Sequence, residues 1–455
     1  MSHVLVIGSG GREHAICWKL SKSPGVSRLT AAPGNDGFSQ DWQRWPFTSS
    51  EDGFKQLIMK ARKEDVALVV VGPDNPLADG IVDALNAAGI PAFGPTREAA
   101  QLEASKAFAK EVMTSAGVPT ARYEVAFTES QVKEFFISGE GGGGGDSPAD
   151  LASWPGWVVK ANGLALGKGV RICSTPEEAL QAAKDLLPVS GSVLIEEKLE
   201  GEEISWMAFC DGKRAALLDP ARDFKRAKDR DEGPNTGGMG AFSPVPGIPE
   251  GFAERIQTEV FDAVLQEMNK RGTPFRGVLY AGLMADFKTG RYWVLEFNVR
   301  LGDPEAQVLL PRMDADLFKW CLACANGDLG NLPARVPFTE QRAVVVIAAA
   351  AGYPGEVKTG ATLHSQGFHS PEYFLAGVKR ASFGLQVSGG RVFGAVGLGK
   401  NFRMARTQAY ERLKAIKFEG MHYRSDIAQQ AAELDVPPLG ASSASLKAKS
   451  ERSLA

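Results

Sequence analysis

Short apolar runs alternate with helix-like segments over the first hundred residues of the chain. The run Val4–Ile7 predicts a strand, and Glu13–Leu20 predicts a helix after it. Further strands are predicted at Arg28–Ala32, Ala67–Val71 and Pro91–Phe93. Strands that alternate with helices indicate a parallel α/β sheet, whose ligands bind beyond the carboxyl ends of the strands. Because these strands end in glycine and proline turns, we expect the turns to converge at one edge.

The remainder of the chain changes character twice. Apolar residues near helical spacing predict one helix over Ala99–Ala116, and β-rich segments then predominate through Asp211. Val278–Phe287 and Tyr292–Phe297 predict two strands joined by a short turn, and residues 335–427 are again strand-rich. The pattern therefore predicts a multidomain α/β protein.

Length and composition narrow the class of protein. The chain has 455 residues, more than one ordinary core holds, so roughly two to four domains are expected. Its 44% hydrophobic and 23% charged residues are typical of soluble proteins, and a net charge of −3 favours neither nucleic acid nor a membrane surface as partner. The first strand leaves no room for a signal peptide, and no apolar run approaches the ~20 residues that span a bilayer.

Cysteine usage and two low-complexity segments complete this picture. Five scattered cysteines fit a reducing compartment, so we expect a cytoplasmic location. Cys321 and Cys324 form one CxxC pair without a second, which favours a packed helix face over zinc or redox chemistry. Gly141–Gly145 predicts a mobile surface loop, with phosphate binding as the weaker alternative, and residues 429–455 predict a disordered tail.

The first glycine turn, Gly8-Ser9-Gly10-Gly11, joins the first strand to the first helix. Backbone N–H groups and the positive end of a helix favour an anion there. A dinucleotide fold is disfavoured because Glu13 stands where a third glycine is needed, and because Ala32-Pro33-Gly34-Asn35 lacks an acidic residue for a ribose. The turn suits a single phosphate better than a pyrophosphate, with a purely structural turn as the alternative.

A second glycine-rich segment spans residues 157–170. It predicts two strands joined by a glycine turn, and Lys160 lies near the end of the first strand. No GK[ST] opens a helix here, so the segment is not a Walker loop. It is predicted to be a flap over phosphates, beneath which Lys160 offers a positive charge, although a structural hairpin is the alternative.

The segment from Val294 to Glu305 favours a binding site over a purely structural hairpin. In a strand, Glu296 and Asn298 point to the same face, and Arg300 follows on that face. A carboxylate beside an amide oxygen suits magnesium, which prefers oxygen ligands and keeps phosphate oxygens as partners. Arg300 would bind the same phosphates, while Leu295, Phe297 and Val299 are expected to form the packed face. A solvent-facing polar edge is the alternative.

At these residues the chain resembles the ATP-grasp superfamily and, within it, the phosphoribosylamine–glycine ligases (glycinamide ribonucleotide synthetases). The resemblance extends from about residue 3 to residue 427. Several strings in one order carry it, which makes chance agreement much less plausible than for a single motif. The strings are Gly8–His14, Gly94–Lys110, Val158–Val170, Ile195–Glu203, Gly233–Ala241, Leu295–Glu305 and Ile416–Gly420.

The resemblance implies a domain order and a set of site residues. Residues 1–103 would form an amino-terminal parallel α/β substrate-binding domain, 104–330 a central α+β ATP-grasp domain with a flap lobe at about 121–195, and 331–428 a β-rich carboxy-terminal domain. The implied catalytic residues are Lys160, Asp223 and Arg300, and the implied ligands of magnesium or manganese are Glu296 and Asn298. The implied ATP contacts are Lys106, Lys160, Gly167, Lys168, Gly169, Glu196, Glu197, Leu199 and Glu203. The implied substrate contacts are Gly10, Gly11, Arg12, Glu13, Asn35, Asp74, Asp223, Asn235, Gly237, Gly238, Arg300, Gly302 and Asp303.

The resemblance also implies a reaction that needs no protein nucleophile. The carboxylate of glycine would attack the γ-phosphoryl group of ATP, and the amine of phosphoribosylamine would displace phosphate from the resulting glycyl phosphate, in purine synthesis. Positioning and charge neutralisation would supply the catalysis, and the flap would exclude water. The implied partners are small molecules, and a monomer and a dimer both stay open.

The chain departs from the family pattern at a few positions. Phe224 stands where the family has a histidine in Asp-His-Lys-Arg, which removes a donor if that histidine binds substrate. Leu301, Leu166 and Asn162 replace a usual phenylalanine, alanine and aspartate. The alternatives are another ATP-grasp ligase, a nucleotide-binding regulatory protein without turnover, and, as the weakest, a dehydrogenase.

Overall fold

The amino-terminal region forms the predicted parallel sheet. The computed structural model describes residues 1–138, 154–163, 169–365 and 367–435. The elements here are β1 Ser2–Gly8, α1 Gly11–Leu20, β2 Val26–Pro33, β3 Gln43–Arg44, α2 Glu51–Lys63, β4 Val66–Val71, α3 Asp74–Ala78, α4 Ile81–Ala87 and β5 Ala92–Phe93. The strands lie in the order β3-β2-β1-β4-β5, all parallel, so their terminal turns meet at one edge as expected. β1 and β4 are nearly continuous apolar runs because both faces of a parallel sheet are covered.

The next region forms a smaller lobe, which we call the flap lobe (residues 121–197). Two helices precede the lobe, α5 Gln101–Ala104 and α6 Lys106–Ala116. The lobe itself contains β6 Tyr123–Ala126, α7 Glu129–Ser138, β7 Trp157–Ala161, β8 Val170–Cys173, α8 Pro176–Ser190 and β9 Val193–Glu197. The antiparallel order is β6-β9-β7-β8, so the predicted hairpin is confirmed in β7 and β8. The lobe has its own cluster of buried side chains.

One prediction for this region is wrong, and another is incomplete. The single helix over Ala99–Ala116 is divided, because the hydroxyl of Ser105 accepts a hydrogen bond from the Phe108 amide (3.2 Å) and begins a new helix. The β-rich stretch contains two helices, α7 and α8, of which α8 is capped by Thr175 and followed by Gly191. The glycine run 141–145 lies outside the described residues, so its predicted role stays a prediction.

The floor of the central domain is an antiparallel sheet. Its region contains β10 Glu202–Asp211, β11 Ala215–Leu217, β12 Arg222–Asp223, β13 Arg226–Lys228, a 3-10 turn Asp229–Asp231, β14 Glu232–Asn235, β15 Gly240–Ser243, α9 Phe252–Ile256, a π-helical stretch Gln257–Asp262, α10 Ala263–Lys270, β16 Arg276–Asp286, β17 Arg291–Asn298, α11 Ala306–Arg312 and α12 Leu317–Asn326. The floor sheet has the order β11-β10-β16-β17. The two strands predicted near residues 278 and 292 are confirmed as β16 and β17.

The carboxy-terminal region is strand-rich, as predicted. It contains β18 Arg342–Ala349, β19 Tyr373–Leu375, β20 Val378–Ala381, β21 Gly384–Val387, β22 Arg391–Gly399, α13 Phe402–Lys414 and α14 Gln429–Leu434. Its main sheet has the order β12-β15-β18-β22-β19, so two strands of the central region join this sheet, and β15 pairs directly with β18. The disordered tail predicted from 429 is wrong for α14, and residues 436–455 lie outside the described part. Within the described ranges, no helix is long and apolar enough to cross a membrane.

Candidate active site

A β-bulge in β17 sets the face that carries the predicted metal ligands. Glu296 and Val294 pair with consecutive residues of β16, so Leu295 is an extra residue without a partner in the register. Phe297 and Val299 are each 2% exposed, whereas Leu295 stays partly exposed. The prediction that Leu295 shares their packed face is therefore wrong. The bulge instead turns the carbonyl of Leu295 toward Lys160 of the flap lobe, into the space between that lobe and the floor sheet, which we call the cleft.

Glu296, Asn298 and Arg300 share one face, as predicted from the strand pattern. The guanidinium of Arg300 donates from Nη2 to Asn298 Oδ1 (3.2 Å) and to Glu103 Oε1 (2.7 Å). The second Glu103 oxygen accepts from the Val299 amide (2.8 Å). Burial raises the pKa of Glu103, while Arg300 opposes that rise. Glu103 thus holds the guanidinium at the floor of the cleft.

Lysine side chains from the flap lobe and from α6 approach the same floor. Lys160 Nζ donates to the Leu295 carbonyl (3.1 Å) and to Glu196 Oε2 (2.9 Å). Lys110 Nζ lies 3.4 Å from that same Glu196 oxygen, and Lys106 Nζ donates to the carbonyl of Gly163 (2.8 Å). Burial alone would raise the pKa of Glu196, but the two ammonium groups hold it below its usual value. Three lysines therefore lie near one buried carboxylate, which leaves a local excess of positive charge.

A fourth lysine, Lys225, lies beside the carboxylate of Glu296. Lys225 forms an ion pair with Glu203, and its Nζ is 3.6 Å from Glu296 Oε1. Asp223, two residues before Lys225 in the sequence, interacts electrostatically with the Lys225 ammonium group. Burial raises the pKa of Asp223 well above its usual value, although Lys225 acts in the opposite direction. A carboxyl group with a raised pKa can exchange a proton near neutral pH.

The donor set around Glu296 fits a magnesium or manganese ion that shares its shell with phosphates. Burial alone would raise the pKa of Glu296, but Lys225 and Lys160 hold it below its usual value, so the group is an anion. In the described part of the chain, no group of three or more His, Cys, Asp or Glu side chains is arranged to hold a metal. Magnesium needs no such group, because one carboxylate and one amide oxygen suffice when phosphate oxygens and water complete six ligands.

The amino-terminal glycine turn is occupied by the protein's own carboxylate. Glu13 accepts from the Gly10 amide at Oε2 (2.7 Å) and pairs with Arg12 at Oε1 (2.6 Å). Arg12 also donates to the carbonyl of Leu301 (3.2 Å). The helix amino terminus favours an anion, as expected, but Glu13 supplies that anion. The Gly10 amide is therefore not available to a phosphate in this structure.

A cavity of about 600 Å³ opens between this turn and the carboxy-terminal sheet. Arg391 of β22 donates to Asp303 Oδ2 (2.7 Å), and Gln307 donates to Asp303 Oδ1 (2.8 Å). Asn35 bridges the walls, because its amide donates to the carbonyls of Ser9 (2.7 Å) and of a β19 residue (3.0 Å). The residues that line the cavity include Gly10, Gly11, Asn35, Asp36, Arg44, Asp303, Gln307, Gly377, Ser388, Gly389 and Arg391.

Some predicted residues lie at the edges of these two sites. The carboxylate of Glu197 is held by Arg122 (2.8 Å to each oxygen), so its side chain is an anchor of the flap lobe. Leu199 follows β9 and is partly buried. Gly237 accepts from Arg391, and its amide donates to the hydroxyl of Tyr353 (2.9 Å).

The remaining predicted residues have the following positions. Asp74 begins α3, Asn235 ends β14, Gly238 packs against Pro304, and Gly302 lies over the carboxylate of Glu305. The carbonyl of Gly169 accepts from the Ala161 amide (2.7 Å). Gly167 and Lys168 lie outside the described residues, as does Leu166.

Phe224 has a packing role that the sequence did not reveal. Its ring lies beneath the guanidinium of Arg424, 4.9 Å from ring centroid to Cζ, and 6.1 Å from the ring of Phe242. Arg424 is buried and paired with Asp231 and Asp426. The ring therefore packs into the junction with the carboxy-terminal region, while its neighbours in sequence face the cleft.

Sequence reasoning missed four residues of the site. Glu103 and Lys110 lie inside a quoted string, and the four-residue spacing from Lys106 to Lys110 was a readable sign of a shared helix face. Lys225 lies in the Asp-Phe-Lys-Arg string. Arg391 carried no local signal, because it reaches the cavity only through long-range strand pairing.

Comparison with known proteins identifies the family. The chain matches three phosphoribosylglycinamide synthetase models: the N domain at residues 2–103, the ATP-grasp (A) domain at 104–306 and the C domain at 343–430. It is 41% identical over 436 residues to the phosphoribosylamine–glycine ligase of Nostoc sp., covering 93% of this chain and 98% of that protein. It is 42% identical over 440 residues to the trifunctional purine biosynthetic protein adenosine-3 of Gallus gallus, covering 94% of this chain but only 42% of that protein.

A solved structure agrees with this assignment. The crystal structure of the phosphoribosylamine–glycine ligase from Thermotoga maritima superposes with a TM-score of 0.78 at 34% identity, covering 93% of this chain and 99% of that one. A match of this coverage includes the amino-terminal sheet, the ATP-grasp lobes and the carboxy-terminal sheet together. The chain therefore belongs to the phosphoribosylglycinamide synthetase family, whose central domain is an ATP-grasp domain.

Proposed function

We propose that this chain is an ATP-dependent phosphoribosylamine–glycine ligase, which joins glycine to 5-phosphoribosylamine in purine synthesis. The products are glycinamide ribonucleotide, ADP and phosphate. One observation carries the proposal beyond family membership: Glu296, Asn298 and Arg300 face a cleft into which Lys160 reaches from the opposite lobe. This arrangement suits a nucleoside triphosphate, and the adjoining cavity has room for a sugar phosphate.

The chain's own residues would act by positioning and by charge. Lys106 and Lys160 would neutralise the phosphates from the flap side, and Arg300, held by Glu103, would clamp the transferring phosphoryl group from the floor. Glu296 and Asn298 would hold magnesium or manganese, which neutralises phosphate charge and aligns the γ-phosphoryl group when bound.

Two bond exchanges complete the reaction. A carboxylate oxygen of glycine bonds to the γ-phosphorus as ADP leaves, which gives glycyl phosphate. The amine of phosphoribosylamine then bonds to the glycyl carbon as phosphate leaves. Asp223, whose pKa burial raises, would in its ionised form accept the proton that the amine releases.

The substrate contacts belong to this proposal as well. The cavity around Gly11, Asp303 and Arg391 would receive phosphoribosylamine, whereas Glu13, Arg12 and Asn35 would shape its wall through their own hydrogen bonds. We also propose domain boundaries near residues 103 and 330. The N-domain match ends at 103 and the A-domain match begins at 104, and the second boundary falls between the end of the A-domain match at 306 and the start of the C-domain match at 343. A cytoplasmic location is proposed because the five cysteines are free, buried thiols.

Phosphate release tests the function directly. Purified chain is incubated with ATP and magnesium, and glycine and phosphoribosylamine are added singly and then together. We expect sustained release only when both are present, with glycinamide ribonucleotide formed in equal amount. Release that depends on a different acid or amine would indicate another ATP-grasp ligase, and ATP binding without release under any condition would indicate a regulatory protein.

A further inference from the structure

Lys110 is a buried lysine to which the proposed reaction gives no role. It lies on α6, one helical turn after Lys106, and its side chain is 2% exposed. Its Nζ donates to the hydroxyl of Thr120 (2.6 Å) and lies 3.4 Å from Glu196 Oε2. An ammonium group so deeply enclosed is strongly disfavoured unless it is paired, so its position calls for a specific partner.

Glu196 receives two cations through one oxygen. Its Oε2 accepts from Lys160 at 2.9 Å and is approached by Lys110, and the carboxylate is 3% exposed. Among the described residues, Oε1 of Glu196 has no hydrogen-bond partner. One carboxylate therefore serves as the counter-ion of two lysines, and either lysine alone would leave it a single partner.

A nucleotide phosphate would compete with Glu196 for the single positive charge of Lys160. Its Nζ is engaged with Glu196 and with the carbonyl of Leu295 in this structure. If Lys160 turns toward phosphates, its bond to Glu196 weakens or breaks. If Lys160 were the only cation on Glu196, its departure would leave a buried carboxylate unpaired. That cost would hold Lys160 at Glu196. The second cation on Glu196 removes that obstacle.

We propose that Lys110 is a positioning residue that keeps Glu196 paired, so that Lys160 is free to bind the nucleotide phosphates. The inference rests on the proposed function, because it takes Lys160 as a phosphate ligand. Lys110 itself does not touch the nucleotide. It acts through Glu196, and its effect appears in nucleotide affinity rather than in the rate of the bound complex.

Lys110→Met tests this role, because it keeps the length of the side chain and removes the charge. We expect the dissociation constant for magnesium ATP, measured by calorimetry, and the KM for ATP to rise about tenfold, within the range of coupled neighbours. The kcat at saturating ATP should change less than about threefold. Lys110→Arg should recover part of the affinity, because it restores the charge. If Lys110→Met is too unstable, Thr120→Val, which removes the hydroxyl that orients Lys110, should raise the dissociation constant in the same direction.

A double-mutant cycle separates this role from a structural one. In a Glu196→Gln background no buried anion needs a counter-ion, so adding Lys110→Met should change affinity less than about twofold. Lys19→Met is the control, because Lys19 is a partly buried lysine that donates to the carbonyl of Met313 and has no bond to Glu196 or Lys160 among the described residues. It should leave ATP affinity unchanged.

The outcomes divide cleanly. An unchanged ATP affinity in Lys110→Met, with wild type active, overturns this inference and leaves the proposed function intact. The same loss of affinity in both backgrounds also overturns it, since Lys110 would then act without Glu196. A wild-type chain that binds no ATP overturns the proposed function itself.

Discussion

The floor of the cleft and the flap lobe are supported by different hydrophobic cores, a large one and a small one. The floor strands β10, β16 and β17 belong to the large buried core, and Val294 on β17 is 0% exposed. The flap lobe has a small core of its own, which includes Val159. Polar bonds hold them together: Lys160 of the lobe donates to the Leu295 carbonyl (3.1 Å), and Thr120, directly before the lobe, donates to the Val294 carbonyl (2.7 Å). A lobe with a separate core can move as a unit over a fixed set of reacting groups.

The sharpest test of this division removes the floor carboxylate. Glu296→Gln should lower turnover by about 10²-fold or more, because the metal loses its one carboxylate ligand here and the phosphates lose a bridging charge. The thermal unfolding midpoint should stay close to that of wild type. Steady-state phosphate release and calorimetry measure the two quantities.

Glu259→Gln is the matched control for that change. Glu259 accepts a hydrogen bond from the hydroxyl of Tyr292 (2.5 Å), which lies on β17 with Glu296, but Glu259 itself lies outside the cleft. It should retain turnover. Wild-type turnover in Glu296→Gln would show that the metal assignment is wrong.

A pair of buried valines tests whether the two cores are independent. Val159→Ala and Val294→Ala remove the same atoms from fully buried positions, one in each core. Each should cost about 2 kcal/mol of local packing. Hydrogen exchange should accelerate within residues 121–197 for Val159→Ala, but in the floor strands for Val294→Ala. Equal acceleration in both regions for either variant would mean that the lobes unfold together.

Acid should loosen the body of the protein rather than the flap lobe, through His14. This ring is buried between the amino- and carboxy-terminal sheets, where its Nδ1 accepts from the Leu375 amide (3.0 Å). Burial lowers the pKa of His14 to about 3, from 6.5. The unfolded chain therefore binds a proton first as pH falls, so the stability from neutral His14 is present above pH 6.5 and is lost progressively toward pH 3.

The expected loss is about 1.4 kcal/mol between pH 7.5 and 5.5. Denaturant unfolding at both pH values measures it. Because carboxylates also titrate, the comparison is with His14→Gln, which should lack this part of the pH dependence. Parallel pH profiles for the two proteins would rule out His14 as the source.

Phe224→His should have the smallest effect. The ring packs against Arg424 and Phe242 rather than reaching toward the metal face, so turnover should stay within about threefold of wild type or improve. Loss of the contact with Arg424 should lower the free energy of unfolding by about 0.5–1 kcal/mol. Phosphate release and denaturant unfolding measure these quantities. A large loss of turnover would mean that the site depends on the phenyl ring.

Local pattern was sufficient for the elements whose partners lie nearby in sequence. The parallel sheet, the β7–β8 hairpin and the shared face of Glu296, Asn298 and Arg300 all follow from period and turn chemistry. Helix α8 was also readable, because Thr175 precedes it and Gly191 ends it, but that signal was overlooked.

Long-range pairing decided the rest. The bulge at Leu295 depends on register against β16, which no single strand reveals. The pairing of β15 with β18 brings the central region into the carboxy-terminal sheet, and Arg391 reaches Asp303 only through that sheet. Glu13 at the helix amino terminus was visible in the sequence, but only the folded turn shows that its carboxylate takes the place of an external anion.

The most direct test of the account is a crystal of the chain grown with manganese and a non-hydrolysable ATP analogue. The anomalous signal of manganese locates the ion independently of its ligands. The account predicts a peak about 2.0–2.3 Å from oxygens of Glu296 and Asn298, with phosphate oxygens completing the shell and Lys160 facing them. Nucleotide in the cleft with those two side chains turned away from every metal peak would contradict it.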